Sequence, residues 1–202
     1  MKNMLASKFV AHIQERNFKM ADFIRTFTKI KFYPLEPVAE DIKIEDIAHA
    51  LSLMTRANGH FADFYSVGQH STICYKEAQA RGYSLRVQLA CLLHDGSEAY
   101  LSDITRPVKA CLPQYREIED TLQTMIYEKF GLDLTEREEK EVKSVDDAVL
   151  YYEFLEMMGE KVFEDVPEIM MKHDFRFRDF TIVEKEFLAI FEDIKRTDTR
   201  FG

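Results

Sequence analysis

Tryptophan is absent from this chain, and glycine (7), proline (5) and cysteine (3) are scarce among its 202 residues. So little glycine and proline excludes collagen-like and low-complexity architectures and leaves few enforced chain reversals, which favours helices. The cysteines, Cys74, Cys91 and Cys111, form no CxxC pair and cannot all pair with one another; they are expected as buried, small apolar residues in a reducing compartment. No stretch is long or apolar enough to span a bilayer, so no membrane association is expected. The first twenty residues carry charges throughout and lack a secretory cleavage pattern, so a cytoplasmic location is expected. Clustered basic residues are also missing. The net charge of −9 is spread along the chain, which argues against a nucleic-acid polymer as partner. A small anionic substrate remains compatible, provided a bound cation and a few local basic groups overcome the negative field.

What is present is enough apolar material, 46% of residues, for a real core in one domain spanning 1–202. The predicted core covers about 44–160, preceded by an irregular excursion over 1–43 and followed by C-terminal helices over 161–202. Within the excursion, a short initial helix and a hairpin-like segment around TFTKIKFYPL are expected, with Pro34 and Pro37 breaking any helix there. The spacing of Ile44, Ile47, Ala48, Leu51 and Met54 predicts a helix ending near Thr55. Ser66 and Gly82 bracket a second, and Ser84 caps a third whose apolar residues nearly encircle its axis. Pro107 fits a short helix from Thr105, and Pro113 starts a long one stopped by Gly131. Thr135 and Glu138 form a capping box opening another that ends at Gly159. Two final helices are expected near 162–172 and 181–195, joined by HDFRFRDF as a strand or extended connector. The fold class is therefore all-α: a helical bundle with a small irregular N-terminal segment.

Chemistry concentrates in ACLLHDGSEAYLSDITRPVK, residues 90–109, where His94 and Asp95 end an apolar run and Glu98 and Asp103 follow. Adjacent helical residues point about 100° apart, so this pair grips one ion only from its flanks. Other segments must complete the shell. His70 in YSVGQHS and Asp146 in VKSVDDAVLYYEF offer the remaining donors from two further helices. Such a mixed nitrogen and oxygen set suits Mn, Co, Fe, Mg, Zn or Ni rather than a thiolate-seeking metal.

His70, then His94-Asp95, then Asp146 resemble the H, HD, D signature of the HD-domain metal-dependent phosphohydrolases. The run HDGSEAYLSDITRPVK is similar to the corresponding segment of the bacterial 5'-deoxynucleotidase branch, and IEDIAHALS, RANGH and FYSVGQHS extend the likeness over about 25–160. The resemblance implies an HD-type helical bundle with one divalent ion held by His70, His94, Asp95 and Asp146. VKSVD fits the family pattern best with Asp146 as the ligand, Asp147 being its rival. It implies Glu98 and Asp103 as catalytic acids, Asp103 acting on the attacking water and Glu98 on the leaving oxygen, with that division open. Arg56 matches a phosphate-binding arginine; Arg106, Lys109 and His60 are further substrate candidates.

The function this implies is release of phosphate from a small phosphoester, foremost a nucleoside or deoxynucleoside 5'-monophosphate, and the family also suggests a homodimer. The competing expectation is a non-catalytic metal- or nucleotide-binding sensor. A two-iron oxygenase is disfavoured, since no histidine lies between His94 and Asp146. His12, His49 and His173 are read as outside the site, and the Tyr151, Tyr152, Phe154, Leu155, Met157 and Met158 stripe as core or dimer surface.

Overall fold

A computed structural model describes residues 22–197 of the chain, and helices dominate them. The short initial helix expected before residue 22 lies outside the described residues. The hairpin is present: β1 (Ile24–Arg25) pairs antiparallel with β2 (Lys31–Phe32). At its tip Thr28 donates its N–H and hydroxyl to the two oxygens of Asp46, at 2.7 and 2.8 Å. Asp46 sits in the first turn of α1 (Ile44–Leu53), so an acid that complements the helix dipole also anchors the hairpin. Phe32, fully buried, stacks on Tyr100 with ring centroids 4.1 Å apart.

The helices that follow α1 are α2 (Val67–Ala80), α3 (Leu85–Leu93), α4 (Glu98–Leu101), α5 (Arg106–Lys109), α6 (Pro113–Lys129), α7 (Glu136–Met158) and α8 (Phe180–Thr197). Their ends follow the sequence signals. Ser66 accepts from the Gln69 N–H, Ser84 from the Val87 N–H, and Thr135 and Glu138 make the reciprocal capping box that opens α7. Gly82, Gly131 and Gly159 all take positive φ just past a helix end, the left-handed cap that glycine enters without a Cβ clash.

α2 packs against α1, α3, α7 and α8, and α3 against α2, α7 and α8, so these two helices form the centre. Every residue of α3 from Val87 to Leu93 is buried, as its encircling apolar pattern predicts. α2 is equally buried despite its polar sequence: Gln69, His70, Ser71, Thr72 and Glu77 are all at 0% exposure. Polar groups at that depth must find partners, which is the first sign that α2 carries more than packing.

The close approach of α1 and α2 depends on Gly68. A Cβ there would lie 2.9 Å from the Ser52 backbone nitrogen and 3.1 Å from the Leu51 carbonyl carbon, and backbone cannot move aside cheaply. Gly68→Ala is expected to cost about 1–3 kcal/mol by overpacking, measured as a lowered midpoint in urea with an unchanged slope.

Two expectations need correction. Residues 162–172 form no helix: 159–179 is an irregular strap without helix or strand. Pro167 disfavours helical backbone at Val166, and α2 supplies the strap's hydrogen bonds instead. Buried Glu77 accepts from the Met170 N–H (2.8 Å) and pairs with His173 Nε2 (2.9 Å), while Arg81 donates to the Glu168 carbonyl and Gln69 to that of Arg176. HDFRFRDF is thus a connector without a strand, with His173 held as a structural partner of Glu77. The second correction concerns Cys111, which is exposed, whereas Cys74 and Cys91 are buried. No helix among the described residues is long and apolar enough to cross a membrane.

Candidate metal centre

α3 stops at Leu93, and His94 and Asp95 lie on a turn of i→i−3 bonds before α4 begins at Glu98. A helix running unbroken through Gly96 does not form. A Cβ on Gly96 would stand 2.9 Å from the Leu93 carbonyl oxygen, so glycine suits this tight turn, and Ile126 of α6 packs 3.4 Å from the same point. Gln123 of α6 splices the break: its amide donates to the Leu93 carbonyl (2.8 Å), and its oxygen accepts from the Ser97 N–H (3.0 Å). In such a tight turn, positions i and i+3 eclipse, which keeps Glu98 on the Asp95 side.

His70 from α2 and His94 from this turn meet with their Nε2 atoms 3.2 Å apart. Both rings are oriented from behind. His94 Nδ1 donates to the Cys91 carbonyl at 2.8 Å, and His70 Nδ1 donates to Glu153 Oε1 at 2.6 Å. A carbonyl and an ionised carboxylate only accept, so each Nδ1 carries a proton, and both Nε2 atoms, the positions left for an ion, face the same point. Asp146 Oδ1 from α7 lies 3.2 Å from His70 Nε2 and 3.7 Å from His94 Nε2. Asp95 Oδ2 lies 3.3 Å from His94 Nε2 and 3.9 Å from His70 Nε2. The neighbouring Asp147 instead pairs outward with Lys143 at 2.7 Å.

A second grouping shares the histidines: the donor atoms of His70, Cys74 and His94 lie within 4.8 Å of one another, and this buried group could hold a metal ion. Cys74 is one turn beyond His70 on α2. Its Sγ is 3.4 Å from His70 Nε2 and 4.0 Å from Nδ1, which puts it beside the ring rather than ahead of the Nε2 lone pair. Burial and the Asp146 carboxylate push its thiol well above the ordinary range, so it is a neutral neighbour.

Arg56 reaches the same centre from the loop after α1. Ala57 and Asn58 behind it both adopt left-handed backbone (φ 52° and 50°), which turns the chain sharply where Arg56 leaves it. Its Nε donates to Glu153 Oε2 (3.0 Å), Nη1 to Asp95 Oδ2 (3.3 Å), and Nη2 stands 3.6 Å from Asp146 Oδ1. Burial opposes the charge on Arg56, but Glu153, Asp95 and Asp146 hold it firmly protonated. Burial likewise opposes ionisation of Asp146, and the hydrogen bonds and charges of His70 and His94 outweigh it and hold that carboxyl well below the usual range. For His94, burial is opposed by Asp95 and Asp146, which hold its pKa up at about 9.

Glu98 is buried, and its Oε2 has no hydrogen-bond partner among the described residues. Burial, then the charges of Asp95 and Asp103, push its pKa well above the ordinary carboxyl value. Asp103 is half-buried, just after Ser102, whose φ of 87° and ψ of 152° belong to a region normally reserved for glycine. Strain of this kind gathers at functional loops. Lys109 lies 4.0 Å from Glu98 but bonds Glu119 at 2.6 Å, and exposed Arg106 pairs with Asp146 Oδ2 at 3.3 Å. His60 is exposed and makes no described contact with the centre, so of the sequence-derived substrate candidates it is the one the structure leaves apart. His49 is half-buried on Glu184, and Tyr151 is core.

Sequence reasoning missed Glu153, Tyr65 and Cys74. Glu153 is fully buried and also accepts from the Tyr65 hydroxyl at 2.7 Å. Its signal was an acid in the otherwise apolar run VLYYEFL, seven residues beyond Asp146 and so on the same face of α7.

No family model matches the chain. The uncharacterized protein YfdR of Escherichia coli (strain K12) is 39% identical over 110 residues, which cover 54% of this chain and 59% of that protein. An uncharacterized protein of Rhodobacter capsulatus is 43% identical over 104 residues, covering 48% of this chain and 53% of that protein. The chain thus spans little more than half the length of the curated relatives it matches, and neither name carries an activity.

Proposed function

We propose that the protein is a divalent-metal-dependent phosphohydrolase of the HD type, releasing phosphate from a small phosphoester, foremost a nucleoside or deoxynucleoside 5'-monophosphate. The observation that carries this reading is the convergence of four donors, His70 Nε2, His94 Nε2, Asp95 Oδ2 and Asp146 Oδ1, drawn from three helical segments. Donors about 2.1 Å from one ion stand roughly 3.0–3.4 Å from one another. Three contacts, at 3.2, 3.2 and 3.3 Å, fall in that range, and two more, His94 to Asp146 at 3.7 Å and His70 to Asp95 at 3.9 Å, exceed it by 0.3 and 0.5 Å.

Charge supports the same reading. Three carboxylates, Asp95, Asp146 and Glu153, face one buried guanidinium, Arg56, so acids outnumber the buried arginine at the centre, as a divalent cation site requires. Carboxylates and imidazoles hold Mn, Co, Fe, Mg, Zn or Ni, and the neutral, side-on thiol of Cys74 adds no soft donor. When bound, such an ion neutralises phosphoryl oxygens and acidifies a water.

The chain's own groups then have distinct tasks. Glu98, kept protonated by burial and its acidic neighbours, delivers a proton to the leaving oxygen. Asp103 orients the attacking water from the strained loop. Arg56 spends two of its five N–H donors on hydrogen bonds to Glu153 and Asp95 and offers the others to the phosphate, where a planar fork discriminates in favour of phosphoryl oxygens. Arg106 and Lys109 line the outer approach.

Nucleoside 5'-monophosphates and their deoxy forms, incubated with the protein and Mn, Co or Mg, are expected to release inorganic phosphate, and a chelator is expected to stop it. Stoichiometric nucleotide binding with no product in metal-replete protein would favour the sensor reading instead.

A further inference from the structure

We infer that Glu153 is a positioning residue that ties the ion ligand His70 to the phosphate arm Arg56, so that one buried carboxylate sets both ion affinity and phosphate affinity. The inference deepens the reading above and rests on it.

Glu153 divides its two oxygens. Oε1 receives the His70 Nδ1 proton at 2.6 Å and the Tyr65 hydroxyl at 2.7 Å; Oε2 receives the Arg56 Nε–H at 3.0 Å. Glu153, Tyr65 and His70 are all fully buried, so water does not substitute for any of these bonds. A carboxylate behind a ligating imidazole fixes its tautomer, holds the ring plane and makes the far nitrogen more basic. Here the same carboxylate fixes the Nε edge of the planar guanidinium and with it the direction in which both Nη groups face, beside Asp95 and Asp146.

Packing alone gives no reason for an acid at this point. The flanking residues Tyr151, Tyr152, Phe154 and Leu155 are apolar or aromatic, and an apolar side chain at 153 would fill the space without desolvating a charge. An acid is required only if His70 must present Nε2 and Arg56 must be held at a set distance from Asp95 and Asp146. Three donors meet on one acid, His70 from α2 and Arg56 and Tyr65 from the loop between α1 and α2, and they pin that loop near both ends, where the Arg56 N–H also bonds the Tyr65 carbonyl at 2.8 Å.

The test compares wild-type full-length protein, Glu153→Gln and, as a stability control remote from the centre, Thr135→Ala, which removes the α7 cap. Binding of Co2+ alone, measured by chelator competition, and of inorganic phosphate to the Co2+-loaded protein are the readouts. Glu153→Gln is expected to weaken Co2+ binding by about 10–100-fold, the range for loss of a ligand's supporting partner, and to weaken phosphate binding as well. Thr135→Ala is expected to lower the melting temperature with Co2+ affinity unchanged. A folded Glu153→Gln protein with wild-type Co2+ affinity overturns the inference, as does one that loses only thermal stability.

Should Glu153→Gln fail to fold, nitrogen-detected NMR of the histidine rings in Zn2+-loaded wild type decides. The His70 proton is expected on Nδ1 in a strong hydrogen bond, and a proton on Nε2 overturns the inference. Because Co2+ binding needs no turnover, the two ideas fail separately. Glu153-dependent ion binding without phosphoester hydrolysis by wild type sinks the proposed reaction alone, whereas hydrolysis with Glu153-independent ion binding sinks the positioning role alone.

Discussion

Replacing Asp146 by alanine is expected to weaken divalent-ion binding by more than about 100-fold, beyond the loss typical of an outer partner, because a donor itself disappears. Phosphate release falls with it. The adjacent Asp147→Ala serves as the comparison: its Oδ2 pairs with Lys143 and its Oδ1 stands 3.7 Å from Arg106, away from the two histidines, and ion affinity should stay near wild type. Titration calorimetry with Mn2+ distinguishes the two, and equal losses in both variants would remove Asp146 from the ligand set. The wild-type affinity also depends on pH with a definite sign. A proton and the ion compete for His94 Nε2, whose pKa is held at about 9 by Asp95 and Asp146. Ion binding therefore tightens as pH rises toward that value, by up to about tenfold per unit for one proton released. Removing Asp146 takes away part of the field that holds His94 protonated, so the dependence shifts to lower pH in that variant.

Glu98→Gln is expected to reduce turnover by about 10²–10⁴-fold, the usual contribution of a positioned acid, while ion binding survives. The same substitution should raise stability. A carboxyl whose folded pKa lies above its unfolded value binds its proton more tightly in the native state, so stability falls as pH rises between those two values. Glutamine carries no charge and abolishes that fall. Thermal melts of the chelated proteins should therefore diverge as pH rises above the ordinary glutamate range, with the variant melting higher. A variant that is inactive and less stable at every pH would place Glu98 in the architecture rather than in the chemistry.

Much of the helical plan was legible because its signals are local. Ser66, Ser84, Thr135 with Glu138, and the glycines at 82, 131 and 159 each act within one turn of chain, so neighbouring residues alone specify the helix ends. The segment 162–172 was misread because its apolar and charged residues permit a helix, whereas Glu77 and Arg81, some ninety positions away in sequence, capture its backbone groups. The same distance hid Glu153: read along the chain it interrupts an apolar stripe, and only its meeting with His70, Arg56 and Tyr65 gives its charge a reason.

The chain's order of residues by itself determined a helical bundle with a small hairpin, and it marked out His70, His94, Asp95, Glu98, Asp103, Asp146 and Arg56 as a chemical vocabulary. Tertiary structure decided their arrangement. It broke the third helix at Gly96, turned Asp146 inward and Asp147 outward, brought Cys74 beside the histidines and left His60 at the surface. The physical reason is range: capping and hydrophobic periodicity act over a few residues, whereas ligand convergence and the sharing of buried charge depend on contacts between helices that packing alone brings together.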